Sequence, residues 1–380
     1  MMQNNVSSAA FADSKPHYEV LDGLRGVAAL VVVWYHVFEG FATSPMDQIV
    51  NHGYLAVDFF FLLSGFVMGY AYDNRWPALT LKTFALRRLI RLHPLVVLGA
   101  VLGGALFYTQ GCDWWDVSKV TFSALAVAML LNALLIPATP SAEVRGLGEM
   151  YPLNGPSWSL FFEYVAYVVY AFVLRRLNRG GLAVVLLLAG GGLAWYALIA
   201  PTGSIGMGWT MNNHGLAGGL ARVMFSFTLG LWLFRTLRPG RVRYGFGLAA
   251  AVIVAVCALP RLGGEAMPWM NGLYELVCVG LIFPSLVYVG ASTSLQHSAA
   301  KRICRLLGDL SYPLYIIHYP FIYLYIAWVK NEELSFVQSL PGALTLFFGC
   351  IALAWLCLKV FDEPVRRALT RRLLGGEKKR

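Results

Sequence analysis

The stretch LDGLRGVAALVVVWYH, residues 21–36, decides the fold. It is apolar enough to open a membrane span, yet it carries Arg25 and His36 eleven positions apart. An Arg at the centre of a lone span costs about 2.5–3.5 kcal/mol on the insertion scale, so ionisable residues inside spans mark functional sites unless they reach the headgroups or find partners. Eleven residues at about 100° each make about three turns, so the two side chains share one helical face, roughly 16 Å apart along the axis. Asp22 lies three residues before Arg25, at the spacing that pairs side chains on a helix.

Working outward, the whole chain repeats this texture. Of its 380 residues, 58% are hydrophobic and 13% charged, against about 25% charged in ordinary globular chains. The hydrophobic residues fall into eleven runs, near 21–41, 54–72, 94–109, 119–136, 157–174, 182–200, 216–234, 243–260, 272–290, 307–328 and 342–360. Runs of about 17–22 apolar residues are long enough to cross a bilayer as helices. The fold expected is an all-α, polytopic transmembrane bundle. An outer-membrane barrel would instead show alternating segments of roughly 10 residues. Net charge is +10, but the Lys and Arg residues cluster at helix ends, as the positive-inside rule requires, so nucleic acid is excluded as a partner. The six cysteines form no CxxC pair and no metal spacing, so neither a metal site nor a disulfide framework is expected.

Topology follows from the same charges. Residues 42–53 carry no Lys or Arg and belong outside; Arg75–Arg91, Arg175–Arg179, Arg235–Arg243, Lys301–Arg305 and the tail RRALTRRLLGGEKKR belong inside. The first 19 residues lack the basic start and cleavage site of a signal peptide, so the helix after them is expected to stay as a signal anchor. Both termini are then cytoplasmic, which needs an even number of crossings. Three apolar runs lie between Arg91 and Arg175, so one of the two shorter ones, 94–109 or 119–136, fails to span, leaving about ten crossings. The organisation read is a cytoplasmic tail at 1–19, a membrane domain at 20–362 and a basic cytoplasmic tail at 363–380, multi-pass in a bacterial inner membrane.

Five runs, or their ends, carry polar groups that a plain bundle does not need. The first is the Asp22/Arg25/His36 helix. In HGYLAVDFFFLLSGF (52–66), Asp58 sits among aromatics, either as partner to an Arg or helix end or as a site residue, while Ser64-Gly65 suits close helix approach. In FALRRLIRLHP (84–94), Arg88 and Arg91 share a face; such a pair reads as positive-inside anchors or as a phosphate fork. In NGPSWSLFFEYVAY (154–167), Ser159 and Glu163 are i,i+4, and a carboxylate one turn inside a span must pair with a cation or stay protonated. In LGDLSYPLYIIHYP (307–320), Ser311, Tyr315 and His318 share one face, lining a polar cavity or closing an interhelical network. His17, His52 and His214 read as incidental.

Together the blocks LDGLRGVAALVVVWYH, VDFFFLLSGF, RRLIRLHP, NGPSWSLFFE, LGDLSYPLYIIH and FDEPVRR resemble the acyltransferase 3 family of bacterial integral-membrane O-acyltransferases, in the family's order and over nearly the whole chain. The resemblance implies transfer of an acyl group, by default acetyl, from cytoplasmic acyl-CoA to a carbohydrate hydroxyl. It maps the family's first-helix Arg and His onto Arg25 and His36, and its Arg-x-x-Arg onto Arg88 and Arg91. Some members add an extracytoplasmic esterase-like domain; none follows here, so any second transfer step is expected to need a separate extracytoplasmic transferase.

The chemistry fits these residues independently. Acyl transfer from a thioester to a hydroxyl needs a base near pH 7, which His supplies, and positive charge for the oxyanion and the CoA phosphates. The site expected is therefore His36, Arg25 and Glu163 for catalysis, Arg88 and Arg91 for acyl-CoA, and Asp58, Ser159, Tyr315 and His318 on the acceptor side. Acetyl-CoA is a co-substrate, with no permanently bound cofactor. Two alternatives stand beside this reading: acylation of a small molecule such as an antibiotic or lipid headgroup, and a transporter or flippase of envelope precursors. The latter predicts inverted repeats, and the sequence shows no clear repeat.

Overall fold

Fourteen helices and no extended strand make up the described residues, 18–43, 47–243 and 245–375, of a computed structural model. In chain order they are α1 (Glu19–Glu39), α2 (Ala56–Tyr72), α3 (Leu81–Leu106), α4 (Phe122–Ala133), α5 (Ser157–Phe172), α6 (Arg179–Leu198), α7 (Asn213–Thr236), α8 (Gly245–Ala258), α9 (Trp269–Val277), α10 (Phe283–Ser292), α11 (Ser298–Ile317), α12 (Tyr319–Asn331), α13 (Phe336–Leu356) and α14 (Glu363–Leu374). Widened turns at Cys278–Ile282 and Cys357–Asp362 join α9 to α10 and α13 to α14 into single rods. The expected N-terminal tail, His17 included, and the last residues of the basic tail lie outside the described residues.

Eight of these rods are long and apolar enough to cross a membrane. Two shorter apolar helices, α4 and α8, fall below that length, and α11 and α12 are separate pieces that meet at His318, so length and composition give eight spans against the ten or so expected. The candidate run 94–109 is the second half of the 26-residue α3. Of the two runs expected to hold a non-spanning segment, it is 119–136 that is short: α4 has 12 residues, about 18 Å at 1.5 Å per residue, against a hydrocarbon core of about 30 Å; α8, with 14 residues in the run 243–260, is short as well. Lipid-facing positions such as Leu187 and Leu188 on α6 are 76% and 74% exposed, as apolar side chains covered by bilayer and not by protein must be.

The basic clusters gather at one end. The Arg235 guanidinium closing α7 pairs with Asp73 at the end of α2 (2.6 Å) and donates to the Leu177 carbonyl beyond α5 (2.7 Å). Arg305 on α11 lies 3.9 Å from Glu19 at the start of α1. We call this end the basic face. Both ends of the described chain lie there.

Close packing is set by small residues. A Cβ on Gly65 would lie 1.9 Å from the Phe227 carbonyl oxygen, so α2 and α7 touch backbone to backbone only because position 65 is glycine. The α11–α12 joint is built by proline. Pro320 has no N–H for the Ile316 carbonyl one turn before it, and Asn154 Nδ2 supplies that bond at 2.7 Å. His52 is fully buried, with its ring nitrogens against the Leu259 carbonyl and Asn271 Oδ1 (2.8 and 2.9 Å). It locks the α8–α9 connection to the start of α2.

Candidate active site

Helix α1 forms a wall of two cavities stacked along the bundle axis. Arg25 stands six residues, about 9 Å, from the basic end of α1 and lines the first; His36 stands three residues from the far end and lines the second.

The inner cavity, about 240 Å³, is lined by Arg25, Arg88 and Arg91, with Glu163 the carboxylate among them. Asp22 holds Arg25 at 3.0 Å, while Arg25 Nε donates to Ser311 Oγ (2.8 Å) and its Nη2 to the Gly308 carbonyl (3.0 Å). Arg88 donates to the Tyr72 hydroxyl at 2.8 Å and stacks between the Tyr72 and Tyr167 rings; its Nε is buried without a partner. Arg91 hydrogen-bonds to no protein group among the described residues. Glu163 accepts from Ser64 Oγ (2.6 Å) and from the Tyr167 hydroxyl. Three guanidiniums, Arg25 among them paired with Asp22, against one carboxylate, and with donors uncommitted, give this cavity the chemistry that suits an anion.

The outer cavity, about 230 Å³, contains His36, Glu39, Glu149 and Arg222 between aromatic walls that include Tyr35, Tyr54, Trp158, Trp209 and Tyr319. His36 Nδ1 lies 2.8 Å from Glu39 Oε2. A carboxylate there fixes the tautomer with the proton on Nδ1 and leaves Nε2 as the basic atom. Nε2 has no protein partner among the described residues. Arg222, 1% exposed, donates Nε and Nη2 to Asp58 (3.2 and 2.6 Å), Nη1 to the Met207 carbonyl (2.6 Å) and Nη2 to the Tyr54 carbonyl (3.0 Å). Glu149, on the loop before α5, accepts from the Tyr323 hydroxyl, and burial pushes its carboxyl up to about 7.

One layer of side chains separates the two cavities. Val57 and Tyr315 line both, and the Tyr315 hydroxyl hydrogen-bonds Ser159 Oγ at 2.7 Å across that layer.

The sequence-derived residues thus divide. Arg25, Arg88, Arg91, Ser159 and Glu163 line the inner cavity, His36 the outer, and Tyr315 both. Glu163 is not with His36: it stands six residues in from the far end of α5, against three for His36 on α1, and this greater depth puts it among the guanidiniums. Asp58 lines neither cavity, because its carboxylate is taken up by Arg222. His318 lines neither; it is fully buried, with Nδ1 against the Leu314 carbonyl and its ring 5.4 Å from that of His36. Sequence reasoning passed over Glu39, Glu149 and Arg222. Two of these had a readable signal: Glu39 is i+3 from His36, and Arg222 is a lone charge inside the apolar run 216–234.

Residues 18–359 match the family model described as an acyltransferase domain. The chain belongs to this acyltransferase family. Its enzyme class is therefore transfer of acyl groups other than aminoacyl groups, carried out by a membrane O-acyltransferase. Protein 2 in the picA locus of Rhizobium radiobacter is 38% identical over 160 residues, 40% of this chain and 80% of that protein. The acyltransferase MdmB of Streptomyces mycarofaciens is 24% identical over 93% of this chain and 92% of its own length. The peptidoglycan O-acetyltransferase OatA of Listeria monocytogenes is 23% identical over 93% of this chain, which spans 56% of that protein. No solved structure gives a significant match.

Proposed function

We propose that this acyltransferase takes an acyl group, acetyl by default, from acyl-CoA entering at the basic face and gives it to a carbohydrate hydroxyl entering from the opposite side. The carrying observation is the pair of cavities on one helix: an arginine-lined one on the basic side, a His–Glu pair in the other, and one side-chain layer between. By the positive-inside rule the basic face is cytoplasmic, in a bacterial inner membrane, where acyl-CoA is available.

Arg88 and Arg91 bind the CoA phosphates, with Arg25 the third cation. The pantetheine arm runs along α1 and passes Tyr315 and Ser159, so that the thioester reaches His36; the roughly 16 Å between Arg25 and His36 suits an extended arm. His36 Nε2 removes the proton of the acceptor hydroxyl as its oxygen attacks the thioester carbon. The new C–O bond forms, the C–S bond breaks, and the proton passes from His36 to the departing CoA thiolate. Glu39 holds the imidazolium formed meanwhile. Glu163 stays with the donor, balancing part of the guanidinium charge through Ser64 and Tyr167. Carbohydrate is favoured as acceptor by the aromatic walls of the outer cavity and by the named substrate of the Listeria relative.

The test is sidedness. In oriented proteoliposomes, labelled acetyl-CoA supplied at the basic face should be turned over, and acetyl-CoA supplied only at the other face should not. Equal turnover from both faces would refute the two-cavity reading.

A further inference from the structure

The two cavities differ in the charge they leave uncommitted, and that difference bears on the acceptor. The following rests on the outer cavity being the acceptor site. Besides its tyrosines, four ionisable side chains line it: His36, Glu39, Glu149 and Arg222. Arg222 is already spent on Asp58 and two backbone carbonyls and is stacked 5.1 Å from the Trp158 ring centroid. The nearby Arg145 is packed over the Tyr323 ring at 3.6 Å, donates to the Pro152 carbonyl and Gln110 and keeps a buried Nη1 without a partner, but it does not line the cavity. The two carboxylates, by contrast, each use one oxygen only: Glu39 Oε2 faces His36, and Glu149 Oε2 takes the Tyr323 hydroxyl. Each Oε1 has no protein partner among the described residues.

We propose that the outer cavity selects an acceptor whose reacting hydroxyl sits on an uncharged or cationic sugar, and that Glu149 is the residue that rejects anionic ones. At pH 8, with Glu149 ionised, two free carboxylate oxygens accept hydrogen bonds from hydroxyl or ammonium groups, and neither donates to an incoming carboxylate or phosphate. An anion would meet like charge and no available guanidinium, which is specificity by an unfavourable contact as well as a favourable one. The aromatic faces complete the fit, since they pack against the C–H face of a sugar ring and attract a cation. The inner cavity, lined by Arg88, Arg91 and the Asp22-paired Arg25 against the one carboxylate of Glu163, has the opposite preference, so donor and acceptor are sorted by charge as well as by side.

The experiment uses the full chain in detergent at pH 8, where Glu149 is ionised, with acetyl-CoA and three matched acceptors: methyl glucoside, methyl glucosaminide and methyl glucuronide. Wild type should transfer acetyl to the first two at least about tenfold faster than to the glucuronide, judged by kcat/KM. Glu149→Gln, whose amide oxygen still accepts from Tyr323, should narrow the gap, and Glu149→Lys should reverse its sign. Equal transfer to glucoside and glucuronide by the wild type would overturn the proposal without any variant, as would an unchanged ratio in Glu149→Gln. CoA release with any of the three glycosides reports the underlying reading separately. Its absence sinks the acyl-CoA assignment, whereas its presence with indifferent acceptor use sinks only the charge selection.

Discussion

Replacing Asp58 by Asn removes the charge that faces the Arg222 guanidinium while keeping one carbonyl oxygen in place. Both side chains are almost wholly withdrawn from solvent, at 0% and 1% exposure. Breaking a buried ion pair from one side leaves an uncompensated charge and costs about 3–5 kcal/mol. Here Arg222 keeps the Met207 and Tyr54 carbonyls and the Trp158 ring, so the loss is expected near the lower end. About 3 kcal/mol is roughly a hundredfold in the folded-to-unfolded ratio. The double variant Asp58→Asn/Arg222→Met removes both charges and should recover most of that stability, giving a coupling of about 2 kcal/mol or more. Unfolding in detergent, followed by sulfhydryl-reactive dye on the buried cysteines, measures all four corners of the cycle. Kinetically, only the outer cavity borders Arg222, so KM for the acceptor should rise while KM for acyl-CoA stays put. A fully stable Asp58→Asn that has lost acceptor use would refute this reasoning and return Asp58 to the acceptor contact that the sequence suggested.

Arg91→Ala should raise KM for acyl-CoA about 10- to 100-fold with a small change in kcat, as expected for one lost charge-assisted bond to phosphate, and Arg91→Lys should recover part of it; steady-state kinetics with varied acetyl-CoA decides this. Glu39→Gln should lower kcat by about 10²–10⁴ with little change in either KM, because the amide no longer fixes the His36 tautomer or holds the imidazolium. Glu149 lies on a loop outside the spans, and burial raises its carboxyl from 4.5 to about 7. The folded chain therefore keeps a proton between those values that the unfolded chain has lost, and stability falls as pH rises across that window, by on the order of 3 kcal/mol, then levels off. Melting temperatures at pH 5 and pH 8 should show this decline in the wild type and a flatter profile in Glu149→Gln.

The bundle was legible because hydropathy acts residue by residue, and the grouping of the basic clusters at one end of it was legible from Lys/Arg placement. Helix length was less legible: 94–109 proved to be half of the long α3, while 119–136 and 243–260 hold only the short α4 and α8. The stripe shared by Arg25 and His36 was legible because helical periodicity is local. What periodicity does not give is which residues meet across helices. Asp58 and Arg222 lie 164 positions apart, and their union depends on α2 and α7 touching at Gly65. Ser64 read as a packing residue, yet at that same contact its hydroxyl reaches Glu163. Glu163 and His36 were grouped as one site because both are ionisable groups inside spans, but their depths along antiparallel helices place them in different cavities. Glu149 had no signal at all: its importance comes from a loop folding back over the end of the bundle, where its backbone bridges to Thr210.

The central claim is that chemistry occurs at His36, in a cavity separate from the one that holds the donor. Acetyl transfer to a supplied glycoside by His36→Ala, beside Arg91→Ala and wild type at saturating acetyl-CoA, tests it most directly. The account expects saturation to restore Arg91→Ala to near wild-type rate and to leave His36→Ala at least about a hundredfold slower. Full activity in a properly folded His36→Ala would contradict it.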